Sequence, residues 1–206
     1  MIKAILFDFD GVLTIDKTGS QSILNYLAET SRISIDVFKT EYYKFNNELL
    51  YGKITHKDMW QDFCKGIGTD LHYDLLIDAF RNTPLDFEMI DFAQELKKTY
   101  KIGMITDNKC DRIEEILDHY KLTSLFDVVS VSARYRSGKQ DQNIFEKTVC
   151  YLNVSYSECI FIDNSEKNLI VPQRLGMGTI LFDDENRNIE TFKEKILCYI
   201  KQANKL

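Results

Sequence analysis

The sequence predicts an α/β fold: a parallel sheet flanked by helices, interrupted early by a helical insert. Three observations carry this. The segment KAILFDFDGVLT at 3–14 opens with an apolar run, Ala4–Phe7, that stops abruptly at Asp8, Asp10 and Gly11. A strand buried on both faces of a parallel sheet reads as just such a near-continuous apolar run. From about residue 86 onward, short apolar runs alternate with helical periodicity, the pattern of βαβ units. Residues 16–84, between these two parts, contain no convincing strand.

Within the insert, Phe38, Tyr42, Phe45 and Leu49 recur at helical spacing and predict one stripe. Thr55 followed by Asp58 resembles a capping box, with Met59, Trp60 and Phe63 behind it. Leu71, Leu75 and Ala79 predict a further helix ending before Pro84, because the residue before a proline avoids the helical region. The aromatic residues Tyr42, Tyr43, Tyr51, Trp60 and Phe63 are read mainly as the core of a helix bundle, with one or two left to line a pocket. The insert carries eight Lys/Arg against ten Asp/Glu, so it offers no basic patch to a polyanion.

The alternating part follows in order. Helical periodicity appears at 88–99 (Met89, Phe92, Ala93, Leu96), at 111–121 (Ile113, Ile116, Leu117, Tyr120), at 141–152 (Ile144, Phe145, Val149, Leu152) and at 189–201 (Ile189, Phe192, Ile196, Ile200). Apolar runs at 102–105, 126–131, 159–162 and 179–182 supply the strands, and crossovers between parallel strands are expected to be right-handed. Pro172 interrupts the helix that should follow the strand at 159–162. A proline is tolerated in a first turn and breaks an interior, so that helix is expected to start late or to kink. Gly176 is a suitable C-terminal stop.

Bulk properties narrow the functional classes. A chain of 206 residues can bury a substantial core. A formal net charge of −6 disfavours a nucleic-acid partner. No apolar stretch approaches a membrane span, and the run Ala4–Phe7 is too short for a signal-peptide core. Five cysteines, an odd number without CxxC spacing, read mostly as buried thiols of a reducing compartment. The expectation is a cytoplasmic protein with neither nucleic acid nor membrane as partner.

The chemistry concentrates at strand ends. In open α/β sheets ligands bind just beyond the carboxyl ends of the strands. Two carboxylates, Asp8 and Asp10, leaving a strand there repel each other and invite a cation. Magnesium suits them, since it takes oxygen from one or two carboxylates and from substrate phosphate. DFDGVLT resembles the first motif of the haloacid dehalogenase-like (HAD) superfamily, and the remaining motifs follow in the expected order: KIGMITDN at 101–108, SGKQDQNIF at 137–145 and CIFIDNSEKN at 159–168. The resemblance implies a Rossmann-like core with strand order 3-2-1-4-5, the Asp8 strand central, formed by 1–15 and 85–206. It implies a small α-helical cap at 16–84, and a magnesium-dependent phosphohydrolase acting on a small phosphorylated metabolite.

The resemblance also implies roles. Asp8 is the nucleophile that forms an aspartyl-phosphate. Asp10 protonates the leaving group and then activates water, with only its backbone carbonyl on the metal. Thr106 and Lys139 hold the phosphoryl group. Asp107 stands where relatives often have asparagine, so its carboxylate is expected to turn away toward the cap or a helix terminus. Lys139 sits in KQDQ rather than the usual KPDP. The fourth motif has Asp163-Asn164 in place of two acids: Asn164 offers a weaker neutral oxygen to the metal, and Asp163 takes over, directly or through water, or shares the task. Asn168 is read as organising the turn. Two alternatives stay open: a sugar phosphomutase of the same superfamily, and a catalytically weakened HAD-fold binding or regulatory protein. Asp10 argues against the dehalogenase branch. If the reading holds, Asp8, Thr106, Lys139 and Asp163 converge at one end of the sheet beneath the insert.

Overall fold

The computed structural model describes residues 1–204. Strand β1 (Ala4–Phe7) is followed by five helices, α1 (Gly19–Ser31), α2 (Ile35–Tyr42), α3 (Asn46–Leu50), α4 (His56–Ile67) and α5 (Asp74–Arg81). The alternation then begins with α6 (Phe87–Lys97), β2 (Lys101–Thr106), α7 (Cys110–His119), β3 (Val128–Val131) and α8 (Ser132–Tyr135). It ends with α9 (Gln142–Leu152), β4 (Cys159–Asp163), α10 (Glu166–Arg174), β5 (Gly178–Leu181) and α11 (Ile189–Ala203).

The five strands form one parallel sheet in the order β3-β2-β1-β4-β5. Central β1 pairs with β2 on one side and β4 on the other, setting Phe7 level with Met104 and Ile162. All four residues of β1 are buried, as a strand covered on both faces requires. Successive side chains alternate between the faces. Ile5 and Phe7 join Met89, Phe92, Ile113, Phe192 and Ile196 on the α6, α7 and α11 side. Ala4 and Leu6 meet Ile144, Phe145, Val149 and Phe161 on the α9 and α10 side. Because every strand runs the same way, the residues just beyond Phe7, at Thr106 and at Asp163 emerge along one edge.

The insert is helical throughout, with differences of detail. The stripe from Phe38 to Leu49 is broken: α2 stops at Tyr42, the Phe45 amide turns back to the Tyr42 carbonyl, and α3 restarts at Asn46. Thr55 and Asp58 form the capping box at the head of α4. Helix α5 starts at Asp74, leaving Leu71 in the preceding loop, where its carbonyl accepts the Trp60 indole N–H at 2.9 Å. Helix α1 carries a clear apolar face, Ile23, Leu24 and Leu27, capped by Thr18, and went unread in the sequence. Tyr42, Trp60 and Phe63 are buried core residues.

Pro172 does not delay its helix. Helix α10 begins at Glu166 and ends two residues past the proline, at Arg174. The missing N–H costs one bond, to the Asn168 carbonyl, close to where the helix stops anyway. Gly176 follows at φ +88°, a left-handed stop that glycine adopts without penalty. The cysteines also differ from expectation. Cys64 and Cys159 are buried, Cys110 is half-buried, and Cys150 and Cys198 are exposed free thiols on α9 and α11. Among the described residues no helix is long and apolar enough to cross a membrane.

The two chain crossings between sheet and insert lie side by side. Thr14 bridges Leu85 in antiparallel fashion. Arg187 fastens both: its guanidinium donates to the carbonyls of Gly11 (2.7 Å) and Val12 (3.1 Å) and pairs with the Asp86 carboxylate.

Candidate active site

The carboxyl edge of the sheet and the insert enclose a cavity of about 420 Å³. Asp8, Asp10, Thr106, Lys139 and Asn164 all line it. Asp8 is placed by the sheet itself, its amide donating to the Ile162 carbonyl at 2.8 Å. Its Oδ1 accepts the Phe9 amide and the Lys139 ammonium, each at 2.7 Å. Among the described residues Oδ2 has no donor. Gly11 lies at φ +80°, and a Cβ there would overlap the Asn164 side chain. This turn therefore demands glycine both for its backbone and for the close approach of the fourth motif.

Lys139 is buried and bridges two carboxylates, Asp8 Oδ1 at 2.7 Å and Asp163 Oδ2 at 2.6 Å. Its loop is pinned by Asp107, whose Oδ1 accepts the Lys139 backbone N–H at 2.9 Å. Asp107 thus turns neither to the insert nor to a helix terminus: its carboxylate finds an unpaired amide in the neighbouring loop. Asp163 is fully buried and does not line the cavity. Besides Lys139 it accepts the Ser165 amide at 2.8 Å and the Asn168 side-chain N–H at 3.1 and 3.2 Å. Asn168 accordingly holds Asp163 in place. Asn164 is the fourth-motif residue at the cavity wall. Its Nδ2 donates to Asp184 at 2.8 Å, which leaves its carbonyl oxygen without a donor.

Asp10 is held from behind. Arg112, fully buried on α7, forks onto both of its oxygens at 2.9 and 3.1 Å. Asn108 Nδ2 donates to Oδ2 at 2.7 Å and to Thr106 Oγ1 at 3.3 Å. The guanidinium fits because Gly19, at the head of α1, lacks a side chain: a Cβ would overlap it.

Burial dominates the electrostatics. It pushes the Asp8 carboxyl up to about 8, against the pull of Lys139 and with added repulsion from Asp163. Burial works against the Lys139 ammonium too, but Asp8 and Asp163 outweigh it and raise its pKa. With Asp8 ionised, one ammonium shared by two buried carboxylates leaves an excess negative charge, which a cation would neutralise. Among the described residues no three His, Cys, Asp or Glu side chains cluster as a ready-made metal cage. The oxygens at the cavity wall left without a donor, Asp8 Oδ2 and the Asn164 side-chain carbonyl, are hard ligands that leave room for water and phosphate and so fit magnesium.

The wall opposite the sheet comes from the insert and the start of α7: Ser20, Tyr43, Asn46, Leu50 and Lys109. Of the aromatics considered from sequence, Tyr43 lines the cavity and Tyr51 does not. Asn108, Lys109, Arg112 and Asp184 were not singled out from sequence. The signal available was the polar run Thr106 to Lys109 directly after an apolar strand. Nothing comparable marks Arg112, which reaches the site from one helical turn away, or Asp184, which arrives from the far side of β5.

An aspartate at the end of the central strand, a lysine bridging it to the fourth strand, and an inserted helical segment above define a class of α/β hydrolases. The chain belongs to the haloacid dehalogenase-like hydrolase family, whose model matches residues 5–182. It is similar to YhcW of Bacillus subtilis (strain 168), named as a candidate phosphatase, with 21% identity over 97% of this chain and 96% of that one. Solved structures share the fold. A HAD family enzyme from Bacteroides thetaiotaomicron, in complex with magnesium and inorganic phosphate, is 18% identical at TM-score 0.71, covering 93% of this chain and 100% of that one. The L-2-haloacid dehalogenase PA0810 is 16% identical at TM-score 0.66, covering 88% and 84%.

Proposed function

We propose that the protein is a magnesium-dependent phosphatase that hydrolyses a small phosphate monoester through an aspartyl-phosphate on Asp8. The observation that carries this reading is the cavity itself: Asp8, with one oxygen tied to Lys139 and the other without a donor, stands beside Thr106 and Asp10. Residues 16–84 act as the cap, and 1–15 with 85–206 as the catalytic core.

In the first half-reaction Asp8 Oδ2 attacks phosphorus and the bond to the leaving oxygen breaks. Asp10 supplies the proton that oxygen takes up. In the second, Asp10 removes a proton from water, the water oxygen attacks phosphorus, and the bond to Asp8 breaks, releasing inorganic phosphate and free enzyme. Arg112 and Asn108 hold the Asp10 carboxyl group in place for both proton transfers. Lys139 and the Thr106 hydroxyl bind the phosphoryl oxygens, and Lys139 also keeps the Asp8 carboxylate aimed. Magnesium would be held by the Asp8 carboxylate, the Asp10 backbone carbonyl and the Asn164 side-chain carbonyl. When bound it supplies charge neutralisation of the phosphoryl group. Asp163 orients Lys139, a role that suits its burial away from the cavity.

The test is turnover of p-nitrophenyl phosphate with and without magnesium, beside chloroacetate as a dehalogenase substrate. Magnesium-dependent release of phosphate, lost by about four orders of magnitude in Asp8→Asn, is the expected result. Chloride release without phosphate release, or full activity in Asp8→Asn, overturns it.

A further inference from the structure

Lys109 has no role in the scheme above, yet it is the second buried lysine of the cavity. It caps the start of α7 and is 5% exposed. Its ammonium crosses to the insert, 3.3 Å from Ser20 Oγ and 5.6 Å from the centre of the Tyr42 ring. An ammonium has three donors, and a hydroxyl and a ring face do not compensate a buried charge. The carboxylates nearby are committed elsewhere. Asp10 is taken by Arg112 and Asn108, and Asp111 by His56. Among the described residues no carboxylate lies within 4 Å of Lys109, in contrast to Lys139 with two. Lys17, at the same cavity, is paired with Asp184 and Glu185. Burial, reinforced by Arg112, pulls the Lys109 ammonium down to about 8, the mark of a cation short of a counter-charge.

A buried cation that lines a cavity and lacks an anion costs free energy unless a ligand completes it. The phosphoryl group cannot be that ligand, since Asp8, Thr106 and Lys139 claim it. We propose that Lys109 selects the substrate, its ammonium binding a second acidic group, carboxylate or phosphate, at the far end of a small phosphate monoester. On its insert side Lys109 is tied to Ser20, whose hydroxyl lies 3.3 Å from Lys109 and 3.4 Å from Asn46 Oδ1. The proposal rests on the phosphatase reading in one respect, that a phosphoryl group occupies the Lys139 end.

The probes are three esters of equal length: three-carbon monophosphates ending in a hydroxyl, a carboxylate or a second phosphate. A charge-assisted hydrogen bond to a buried ammonium corresponds to a preference of about tenfold to a hundredfold. In the native protein kcat/KM should therefore favour the two acid-ended esters over the alcohol-ended one by at least about tenfold, mostly through KM. In Lys109→Gln the ratio should fall to near one. Ser20→Ala removes the tie to the insert but keeps the charge, and should preserve the ratio. The comparison between the carboxylate and phosphate esters says which acid the subsite prefers. Equal kcat/KM for all three esters in the native protein overturns the proposal while leaving the phosphatase reading intact. So does a ratio that survives Lys109→Gln, or that collapses equally in Ser20→Ala, which would make Lys109 a fastener of the insert. Calorimetry of the native protein with the three matching phosphonates separates the two readings. Acid-selective binding without ester turnover supports Lys109 and sinks the phosphatase. No binding of any phosphonate overturns this proposal as well.

Discussion

The two walls of the cavity are built on opposite principles. On the sheet wall each buried charged side chain has a partner of opposite charge, Lys139 with Asp8 and Asp163 and Asp10 with Arg112, and what is left over there is negative. On the insert wall Lys109 faces a hydroxyl and an aromatic ring. The sheet wall is preorganised, its parts fixed before any ligand arrives, as a site of electrostatic catalysis should be. The insert wall is left incomplete and so can discriminate between ligands. Lys109 stands at the start of α7 and reaches across to Ser20 and Tyr42 of the insert, so the incomplete part of the cavity lies where the two parts of the chain meet.

The most damaging test of that division is Lys139→Met. It strips both Asp8 and Asp163 of their shared partner and leaves two carboxylates buried side by side. Removing one member of a buried pair costs about 3–5 kcal/mol. On the proposed reading the variant should lose turnover of p-nitrophenyl phosphate entirely; it should also unfold at clearly lower urea concentration, and magnesium should restore part of the stability by supplying positive charge. Lys109→Gln, in contrast, should unfold close to the native protein. Equal losses of stability in the two variants, read from urea titrations, would erase the distinction between the walls.

A smaller effect concerns the cation. Asn164→Asp adds a carboxylate at the cavity wall, where hard cations bind chiefly through anionic oxygen. Magnesium affinity should rise about tenfold. The metal-free variant should be less stable than the native protein, because the new carboxylate stands where Asn164 donates to Asp184. Burial holds the Asp8 carboxyl up near 8 in the metal-free site, so magnesium must displace a proton below that pH. Affinity should fall about tenfold per pH unit below 8 and level off above it. Calorimetric titration at several pH values measures both. A flat pH profile with unchanged affinity in Asn164→Asp would mean that the cation sits away from Asp8.

The division also explains what could be read in advance. The strands were legible because burial on both faces leaves a contiguous apolar signature, and parallel strands deliver their last residues to one edge. Asp8, Asp10, Thr106 and Asn164 stand at or just beyond such ends, where the resemblance to the family's motifs gave them roles; Lys139, in the loop after α8, was marked by the resemblance alone. Asp163 was located as well, but its burial could not be foreseen: whether a carboxylate at a strand end faces the cavity or the loop behind it is decided by Lys139 and Asn168, which come from other elements. Asp107 was misjudged for a similar reason, since its partner is a backbone amide in a loop with no periodicity. Helix α1 escaped because its apolar positions are diluted by the small residues Gly19, Ser20 and Ser22, of which Gly19 packs against Arg112 and Ser20 lines the cavity. The residues that approach from helices, Arg112 and Lys109, look like ordinary surface charges in a sequence and acquire meaning only from what packs over them.

The smallest expected effect tests how the insert is fastened over the sheet. His56, fully buried at the head of α4, joins three elements: its Nδ1 lies 2.9 Å from both oxygens of Asp111 on α7, its backbone N–H donates to Asp111 at 3.0 Å, and its Nε2 meets the Tyr42 hydroxyl at 2.9 Å. His56→Gln keeps the backbone contact and loses the ring, at an expected cost of about 1–3 kcal/mol. Asp111→Asn should cost a similar amount, and the double variant less than the sum, since both remove the same contact. Burial pushes the imidazole down, more than Asp111 raises it, so native His56 is neutral while the unfolded chain takes up a proton below about 6.5. The unfolded state then binds more protons, and the native protein should lose up to about 1.4 kcal/mol per pH unit as pH falls below 6.5. His56→Gln should flatten that limb while leaving stability above pH 7 only modestly lower. An unaltered acid limb in the variant, measured by urea unfolding between pH 5 and 8, would show that His56 is protonated in the folded protein and that the Asp111 contact is an ion pair.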